Sequence, residues 1–430
     1  MLNPPALDVR SHTLDNGLTV HVAPMPHTHT SAFALLVRVG SRHEAPERHG
    51  VSHLLEHMLY RGTVRLRGPR EVNAAFERLG APSSAATHRD HTLFEMRTLP
   101  ETIEPAMVLL GELLREPTFG DLDVERRIVL EERLDAVDER GRSSDVEDLA
   151  MAAMFPDDAL GRTIIGSRRS IRRLDVADLR AHQSAFYTAR NMVLAVAGPI
   201  DPAPILLAAQ AAFGWLPPGS RVTAPRATAR TDLPAVAVNR QPGAQTDFDL
   251  SLLAPPEGHR DFLAAEMLLR VLDDGEASRL RARLCDDLGL AYDVGARLEG
   301  YAEAGLLRID GAASHKQIDR MIVEILQVLR ELRERVPDAD EVERARVRLR
   351  LELLGLMAAP ESVAWRHADS SLHRDPELPD RLVARAMAIT PDDVRAIARK
   401  ILRAENAQLT LVGELPSKVL AALKESVSAL

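Results

Sequence analysis

The sequence predicts an α+β protein of two related halves, each an antiparallel β-sheet with helices packed on one face. Some stretches alternate apolar and polar residues as strands do, and others carry the three- and four-residue apolar spacing of amphipathic helices. The order of elements after Leu79-Gly80 recurs after Leu288-Gly289, which indicates an internal repeat. Because 430 residues exceed what one hydrophobic core usually organises, we expect two domains that form a clamshell around a cleft.

The first half begins with a predicted hairpin. The turn sequence Asp15-Asn16-Gly17 precedes apolar stretches at 18–23 and 32–39, which we interpret as antiparallel strands. Further strands are predicted at 86–99 and 192–200. Helical spacing predicts helices at 51–61, 70–79, 103–115, 122–140 and 176–186.

A proline-rich stretch separates the halves. Residues 217–234 hold four prolines and no sustained periodicity, so we expect an exposed linker between a domain at 1–216 and one at 235–430. In the second half a strand at 305–313 and helices at 319–332 and 341–353 repeat the order of the first.

Composition excludes several classes of function. A net charge of -9 without a basic tract argues against nucleic acid as a partner. The longest apolar runs are shorter than the ~18 residues that cross a bilayer, so no membrane span is expected. The start of the chain lacks a basic segment followed by an apolar one, and the single cysteine, Cys285, fits a reducing compartment. We therefore expect a cytoplasmic protein.

One helix carries the candidate chemistry. In "HGVSHLLEHMLYRGT", residues 50–64, His53 and His57 stand four positions apart and face the same way, so they can share a metal ion. Glu56 stands beside them. A solvated polar stripe or a hydrogen-bonded core histidine would explain the pair equally well, so a third ligand is the test.

The predicted helix at 122–140 offers that ligand. Glu125 and Glu132 are two helical turns apart and share a face, while Val124, Ile128 and Leu134 can pack inward. From the residues alone, Glu131 serves as well as Glu132.

Taken together, these motifs resemble the pitrilysin family of zinc peptidases, in particular its processing-peptidase branch. The family's inverted signature, His-x-x-Glu-His, matches residues 53–57. Further matches are "LDNGLTV" near the start, Thr87 and Thr92 in the strand that follows, Glu125-x6-Glu132, and "GLAYDV" at 289–294. The resemblance covers nearly the whole chain.

The resemblance implies a role for each matched residue. It implies one zinc ion held by His53, His57 and Glu132, with Glu125 orienting a ligand histidine and Glu56 acting as general base. The stretch at 85–96 resembles the family's edge strand, on which an extended peptide pairs by main-chain hydrogen bonds. Substrate contacts are implied at Ser84, Ala85 and Tyr292.

The chain departs from the family in places. Ser84 replaces a common asparagine, and His88 and His91 in the same strand are expected to be exposed or structural rather than ligands. Cys285 stands where an arginine precedes the tyrosine by seven residues, and the nearby arginines at 281 and 283 are out of step.

The second half cannot build the same zinc site. Residues 263–272 hold no inverted motif, and Arg350 stands where Glu132 would repeat. Within the family, one subunit can carry the zinc and another the arginine and tyrosine that clamp the substrate. We therefore expect a homologous partner subunit, and otherwise a homodimer.

Three functions remain open. The first is a zinc endopeptidase acting on peptides or unfolded segments as the catalytic subunit of a two-subunit enzyme. The second is a non-catalytic scaffold or assembly subunit of the same family, although such members usually lose zinc ligands. The third is a processing peptidase dedicated to one precursor peptide.

Overall fold

The computed structural model describes residues 7–81, 84–139, 141–223, 226–291, 294–373 and 379–430. The strands are β1 Arg10–Thr13, β2 Thr19–Pro24, β3 Ser31–Val37, β4 Ser84–Thr87, β5 Thr92–Thr98, β6 Met192–Gly198, β7 Ala235–Asn239, β8 Gln245–Ala254, β9 Val294–Gly300, β10 Gly305–Ser314 and β11 Ala407–Val412. The helices are α1 Val51–Leu59, α2 Pro69–Arg78, α3 Ile103–Arg115, α4 Leu122–Glu132, α5 Val146–Met154, α6 Arg168–Arg173, α7 Val176–Phe186, α8 Pro202–Phe213, α9 Phe262–Asp273, α10 Arg279–Arg281, α11 Ile318–Glu334, α12 Ala339–Leu356, α13 Pro360–His373, α14 Pro379–Ala388, α15 Pro391–Ile401 and α16 Ser417–Ser428.

The chain forms two compact units, and neither is continuous in sequence. Unit 1 consists of Met1–Arg133, Thr163–Pro225 and Leu353–Asp380, and unit 2 of Leu134–Arg162, Arg226–Glu352 and Arg381–Leu430. The change of unit near residue 225 falls inside the predicted linker. The predicted contiguous domains differ from these units because helix α5 of the first half belongs to unit 2 and helix α13 of the second half to unit 1.

The two sheets share one topology. Their strand orders are β1-β2-β6-β3-β5-β4 and β7-β11-β8-β10-β9. Without the extra edge strand β1, each strand of the first sheet has a counterpart at the same place in the second, and the strands follow one another along the chain in the same sequence. In each sheet one pair is parallel, β2 with β6 and β7 with β11, and the other pairs are antiparallel. This agreement confirms the predicted α+β repeat, and the sheets are mixed rather than purely antiparallel.

The opening hairpin differs from the prediction. The Asp15-Asn16-Gly17 turn joins β1 to β2, and β6 lies between β2 and β3, so the two predicted strands are not neighbours. Every residue of β6 is apolar or glycine and is buried, as is typical of a strand in the middle of a sheet.

Helices cover both faces of the first sheet, so the predicted single layer of helices is wrong for unit 1. Phe33 and Leu35 of β3 belong to the main core with α1, α3 and α8, whereas Ala34 and Leu36 pack with Val363 and other residues of α13. All seven residues of β3 are buried, and such a run has no polar face to leave in water.

The predicted strand at 86–99 is a hairpin. Strands β4 and β5 pair antiparallel and are joined by a turn. The N–H of His88 closes this turn by donating to the His91 carbonyl oxygen at 2.8 Å. His88 and His91 therefore lie in the turn, with their rings stacked 4.4 Å apart, rather than in a strand. Asp90 in the turn pairs with buried Arg42 at 2.8 Å, which fixes the turn against the core.

The second unit confirms the predicted elements of the repeat. The strand at 305–313 is β10, and the helices at 319–332 and 341–353 are α11 and α12. Of the helices described, none combines the length and the apolar character needed to cross a membrane.

Candidate metal centre

The candidate site is built on helix α1, which begins after a left-handed glycine. Gly50 has a φ of +91°, and a Cβ atom there would lie 2.5 Å from the carbonyl oxygen of Ile165. The N–H groups of Gly50 and Ser52 donate to the Glu44 carboxylate at 2.6 and 2.8 Å, so the first turn is capped. The apolar face of α1 is buried in the core through Val51, Leu54, Leu55 and Met58. This packing fixes the rotation of the helix and the direction of its polar side chains.

Those polar side chains meet Glu132 at one point. His53 Nε2 lies 3.5 Å from Glu132 Oε1, and His57 Nε2 lies 3.6 Å from Glu132 Oε2. One ligand atom from each residue lies within 4.8 Å of the others, and the described part of the chain holds no other such group of three. Two imidazoles and one carboxylate are the donors that catalytic zinc takes when it keeps a fourth position open.

The electrostatics of the cluster favour a cation. Burial lowers the pKa of His57, but the hydrogen bond to Glu125 and the charges of Glu56, Glu125 and Glu132 outweigh burial and raise the pKa overall. The hydrogen bond and charge of His53 hold the pKa of Glu132 below its usual value. The raised pKa of His57 reflects the carboxylates around it, and the lowered pKa of Glu132 reflects a carboxylate that is ionised beside two imidazoles. The cluster therefore holds negative charge that a divalent cation would neutralise. The residues present therefore fit a zinc ion.

Glu125 lies behind the cluster. Its Oε1 is 2.9 Å from His57 Nδ1, on the far side of the ring from Glu132, and its Oε2 is 3.3 Å from Arg61 Nη1. A carboxylate in this position fixes the orientation and tautomer of the imidazole, so that Nε2 presents its lone pair to the metal position.

Helix α4 is shorter than predicted and turned differently. It ends at Glu132 rather than near residue 140, and Ile128 and Leu134 are 45% and 56% exposed instead of packed inward. Val129 is buried in their place. The face of α4 that carries Glu125 and Glu132 is directed at α1. Ile128 lies on that face, one helical turn from each glutamate, and lines the pocket that also contains Glu56 and His57.

Geometry separates Glu132 from its neighbour. The sequence left Glu131 and Glu132 equivalent, and only Glu132 joins the two histidines in the metal-binding group. Glu131 is exposed.

Glu56 lies on the same helix between the two histidines. It is buried and accepts a hydrogen bond from Thr87 Oγ1 on strand β4 at 2.7 Å. An open pocket of about 450 Å³ reaches it, lined also by His57, Ala85 and Ile128. The carboxylate therefore stands between the metal position and the edge strand.

The structure separates the predicted substrate residues. Ala85 lines the pocket at Glu56, whereas Ser84, the adjacent residue, lines a different pocket beside α13. Tyr292 lies outside the described residues. The arginines near Cys285 have partners in their own unit, Arg281 with Glu276 at 2.5 Å and Arg283 with Glu324 at 2.7 Å.

Sequence reasoning missed three supporting contacts. Glu44 caps the helix, Arg61 holds Glu125, and Thr87 holds Glu56. Two of the three left a signal in the sequence. Thr87 is among the residues that match the family, and Arg61 follows His57 by four residues and so continues its face of the helix.

Comparison with known proteins agrees with this site. Residues 19–168 match the profile of insulinase (peptidase family M16), and residues 173–349 match that of the peptidase M16 inactive domain. Over 98% of its length the chain is 30% identical to an uncharacterized zinc protease of Streptomyces coelicolor, covering 93% of that protein. It is 26% identical to the uncharacterized zinc protease YmxG of Bacillus subtilis, over 95% of this chain and 100% of that protein.

Solved structures agree in fold. A peptidase M16 inactive domain from Pseudomonas fluorescens superposes with a TM-score of 0.87 at 19% identity, over 95% of this chain and 98% of that one. A protein described as an M16-like peptidase from Alicyclobacillus acidocaldarius superposes with a TM-score of 0.81 at 22% identity, over 96% and 100%. With the inverted motif, the repeated fold and these relatives, the chain belongs to the pitrilysin (insulinase, M16) family of zinc peptidases.

Proposed function

We propose that the chain is a zinc metalloendopeptidase that hydrolyses peptides or unfolded protein segments. The observation that carries this proposal is the position of Glu56. It shares helix α1 with two of three convergent metal ligands and contacts the edge strand through Thr87. A purely structural zinc site is closed by four protein ligands and needs no buried carboxylate beside it.

Zinc, when bound, supplies a Lewis acid that polarises a peptide carbonyl and lowers the pKa of water. Glu56 takes the proton from the attacking water, because its carboxylate is buried beside His57 at the pocket and accepts a hydrogen bond from Thr87. Glu56 then delivers that proton to the nitrogen of the departing amine. Glu125 and Arg61 keep His57 in place throughout.

Strand β4 supplies the peptide-binding edge. It is the last strand of its sheet and pairs with β5 on one side, so among the described strands its outer edge has no partner. An extended peptide that pairs with this edge binds through its main chain, which tolerates many sequences. Broad selectivity follows.

A second subunit completes the proposed enzyme. Cys285 replaces the arginine that the family resemblance leads us to expect, and Arg281 and Arg283 are held by glutamates of unit 2. We propose that a homologous subunit provides this arginine and a tyrosine. Should the chain suffice alone, the state we propose is a homodimer. A cytoplasmic location is part of the same proposal.

The test is hydrolysis of a quenched fluorescent peptide mixture by the purified chain, with zinc measured in the same sample. Glu56→Gln is expected to retain zinc and to lower the rate about 10²- to 10⁴-fold, the usual contribution of a general base. Equal rates for Glu56→Gln and wild type would contradict the mechanism. A scaffold subunit predicts a chain without zinc. Bound zinc with cleavage only after a homologous subunit is added would support the two-subunit form.

A further inference from the structure

Strand β4 presents its side chains to two different pockets. Thr87 and Ala85 face α1, since Thr87 donates to Glu56 and Ala85 lines the pocket there. Ser84 pairs in register with Glu95 of β5, and both line a second pocket on the opposite side of the sheet. The two pockets are therefore separated by the thickness of one strand.

The second pocket lies between the sheet and helix α13. It has a volume of about 530 Å³, and its surface is mostly apolar. Helix α13 packs on the sheet through Val363, Ala364 and Ala368, which are buried. Trp365, on the same helix, lines the pocket and is 39% exposed. A large aromatic side chain open to solvent beside a binding edge is a feature of ligand sites.

The charged groups at this pocket are partly neutralised. Among the described residues that line it, Arg97 and Glu361 pair at 3.4 Å across the rim, and Glu95 adds a further negative charge. An acidic side chain entering the pocket meets this negative charge. A basic side chain can pair with Glu361 only by displacing Arg97. An apolar or aromatic side chain contacts Trp365 and leaves the Arg97–Glu361 pair intact.

A strand added to β4 continues the alternation of the sheet. Successive side chains of such a strand point to opposite faces. Substrate residues that lie beside Ala85 and Thr87 therefore face the metal centre, and the residue beside Ser84 faces Trp365. With a rise of about 3.3 Å per residue, the two pockets receive side chains within about three residues of each other.

We propose that the pocket formed by Ser84, Glu95 and Trp365 is a specificity subsite for a large apolar or aromatic substrate side chain within about three residues of the scissile bond. This inference deepens the proposed peptidase function and rests on it. It assigns selection of the substrate to helix α13, which comes from the second half of the chain and lies on the face of the sheet opposite α1 and Glu56.

Tryptophan fluorescence of the zinc-loaded Glu56→Gln chain tests the subsite without requiring cleavage. The chain has two tryptophans, and Trp215→Phe leaves Trp365 as the only reporter. The probes are peptides of about ten residues that contain the cleavage site found in the mixture assay. Their other positions are alanine or serine, and a single phenylalanine is placed at a different one of these positions in each peptide. We expect the Trp365 emission to change for phenylalanine at alternate positions and to stay constant at the positions between, as the alternation of a strand requires.

Cleavage preference gives the second readout. In the active enzyme, with its partner subunit if that is required, Trp365→Ala is expected to lower the ratio of kcat/KM for the phenylalanine and alanine peptides about tenfold. Leu207→Ala, which removes an apolar side chain that is 74% exposed on α8, is the matched control and should leave the ratio unchanged.

The outcomes separate the two proposals. Peptides that bind and are cleaved without any response of Trp365, or with a preference for lysine or arginine at its position, would overturn the subsite alone. Equal responses at adjacent positions would overturn the strand alternation on which the subsite depends. Failure of every peptide to bind would count against both the peptidase function and the subsite.

Discussion

Helices α1 and α9 occupy equivalent places in the repeat, but their polar side chains have different kinds of partner. Each follows an equivalent strand, β3 in unit 1 and β8 in unit 2. On α1, His53 and His57 meet Glu132 of α4 in a group that could hold a metal ion. On α9 Arg270 pairs with Glu266 at 3.3 Å and with Asp274 at 2.7 Å, so a protein cation lies among the carboxylates.

The same contrast holds in the interior of the two units. In unit 2 the fully buried Arg308 donates to buried Asp249 at 2.6 Å and to Glu299 at 3.0 Å. Positive and negative charges are present together there. In the unit 1 cluster the ligand atoms of His53, His57 and Glu132 converge on a position that could hold a metal ion, whereas Arg61 pairs with Glu125 behind that position. A polar cluster whose charges pair directly thus indicates a structural role, and one whose donors converge on an open position indicates a binding site.

The largest effect should come from a metal ligand. Glu132→Gln is expected to lose zinc and to lower peptide hydrolysis on the order of 10⁴-fold, because the carboxylate is one of three convergent donors. Glu131→Gln, which changes the exposed neighbour, is the matched control and should keep both. Zinc content and hydrolysis rate are measured on the same samples. Loss of zinc in Glu131→Gln but not in Glu132→Gln would reverse the assignment.

Unit 2 should respond through stability instead. Arg308→Met leaves the Asp249 carboxylate buried without its partner and is expected to lower the free energy of unfolding by about 3 to 5 kcal/mol. Adding Asp249→Asn should recover part of the loss, because the buried charge is then gone. Urea unfolding measures this, with Arg344→Met, whose surface pair with Asp340 is solvated, as the control. Loss of zinc in properly folded Arg308→Met would contradict the contrast between the units.

Glu125 tests how far the site depends on its supporting contacts. Glu125→Gln keeps the shape of the side chain but removes the charge that orients His57, and zinc affinity is expected to fall about 10- to 100-fold. Competition with a zinc chelator measures the affinity. An unchanged affinity would mean that the packing of α1 holds the histidine without the charge of Glu125.

The sequence predicted the repeat and the α1 cluster because both depend on local spacing. His53, Glu56 and His57 share one helix, and their relation is fixed by 3.6 residues per turn. The contact between Thr87 and Glu56 joins residues 31 positions apart, and its geometry comes from the β4–β5 hairpin. Non-local contacts of this kind leave no periodic trace in a single sequence.

Two errors have a common physical cause. The sequence predicts helices on only one face of the first sheet, and an inward-facing apolar side for helix α4. In the structure β3 is buried on both faces, because α13 comes from a distant part of the chain to cover the second one. Ile128 is exposed because it shares its face of α4 with Glu125 and Glu132, whose carboxylates are directed at the histidines of α1.

The smallest predicted effect concerns the neutral bases of unit 1. Burial, together with the charges of the nearby His43 and Arg48, lowers the pKa of His182 to about 3. His182 is buried beside Ser52 on α1, with its Nε2 3.1 Å from the Ser52 hydroxyl oxygen. In the unfolded chain the same histidine takes up a proton as the pH falls below its ordinary pKa. Because the unfolded state then binds more protons than the folded one, acid destabilises the fold.

The expected loss from His182 is about 1 kcal/mol between pH 6.5 and 5.5, since one pKa unit corresponds to about 1.4 kcal/mol. His182→Gln keeps a hydrogen-bonding group near Ser52 but cannot titrate, so its free energy of unfolding should change less over this range than that of wild type. Urea unfolding at the two pH values measures the difference. His43 and His367, whose pKa values burial lowers to about 4, remain in the variant and preserve part of the slope. An equal slope in both proteins would mean that His182 titrates alike in the folded and unfolded chains, and the buried bases of unit 1 would then not distinguish it from unit 2.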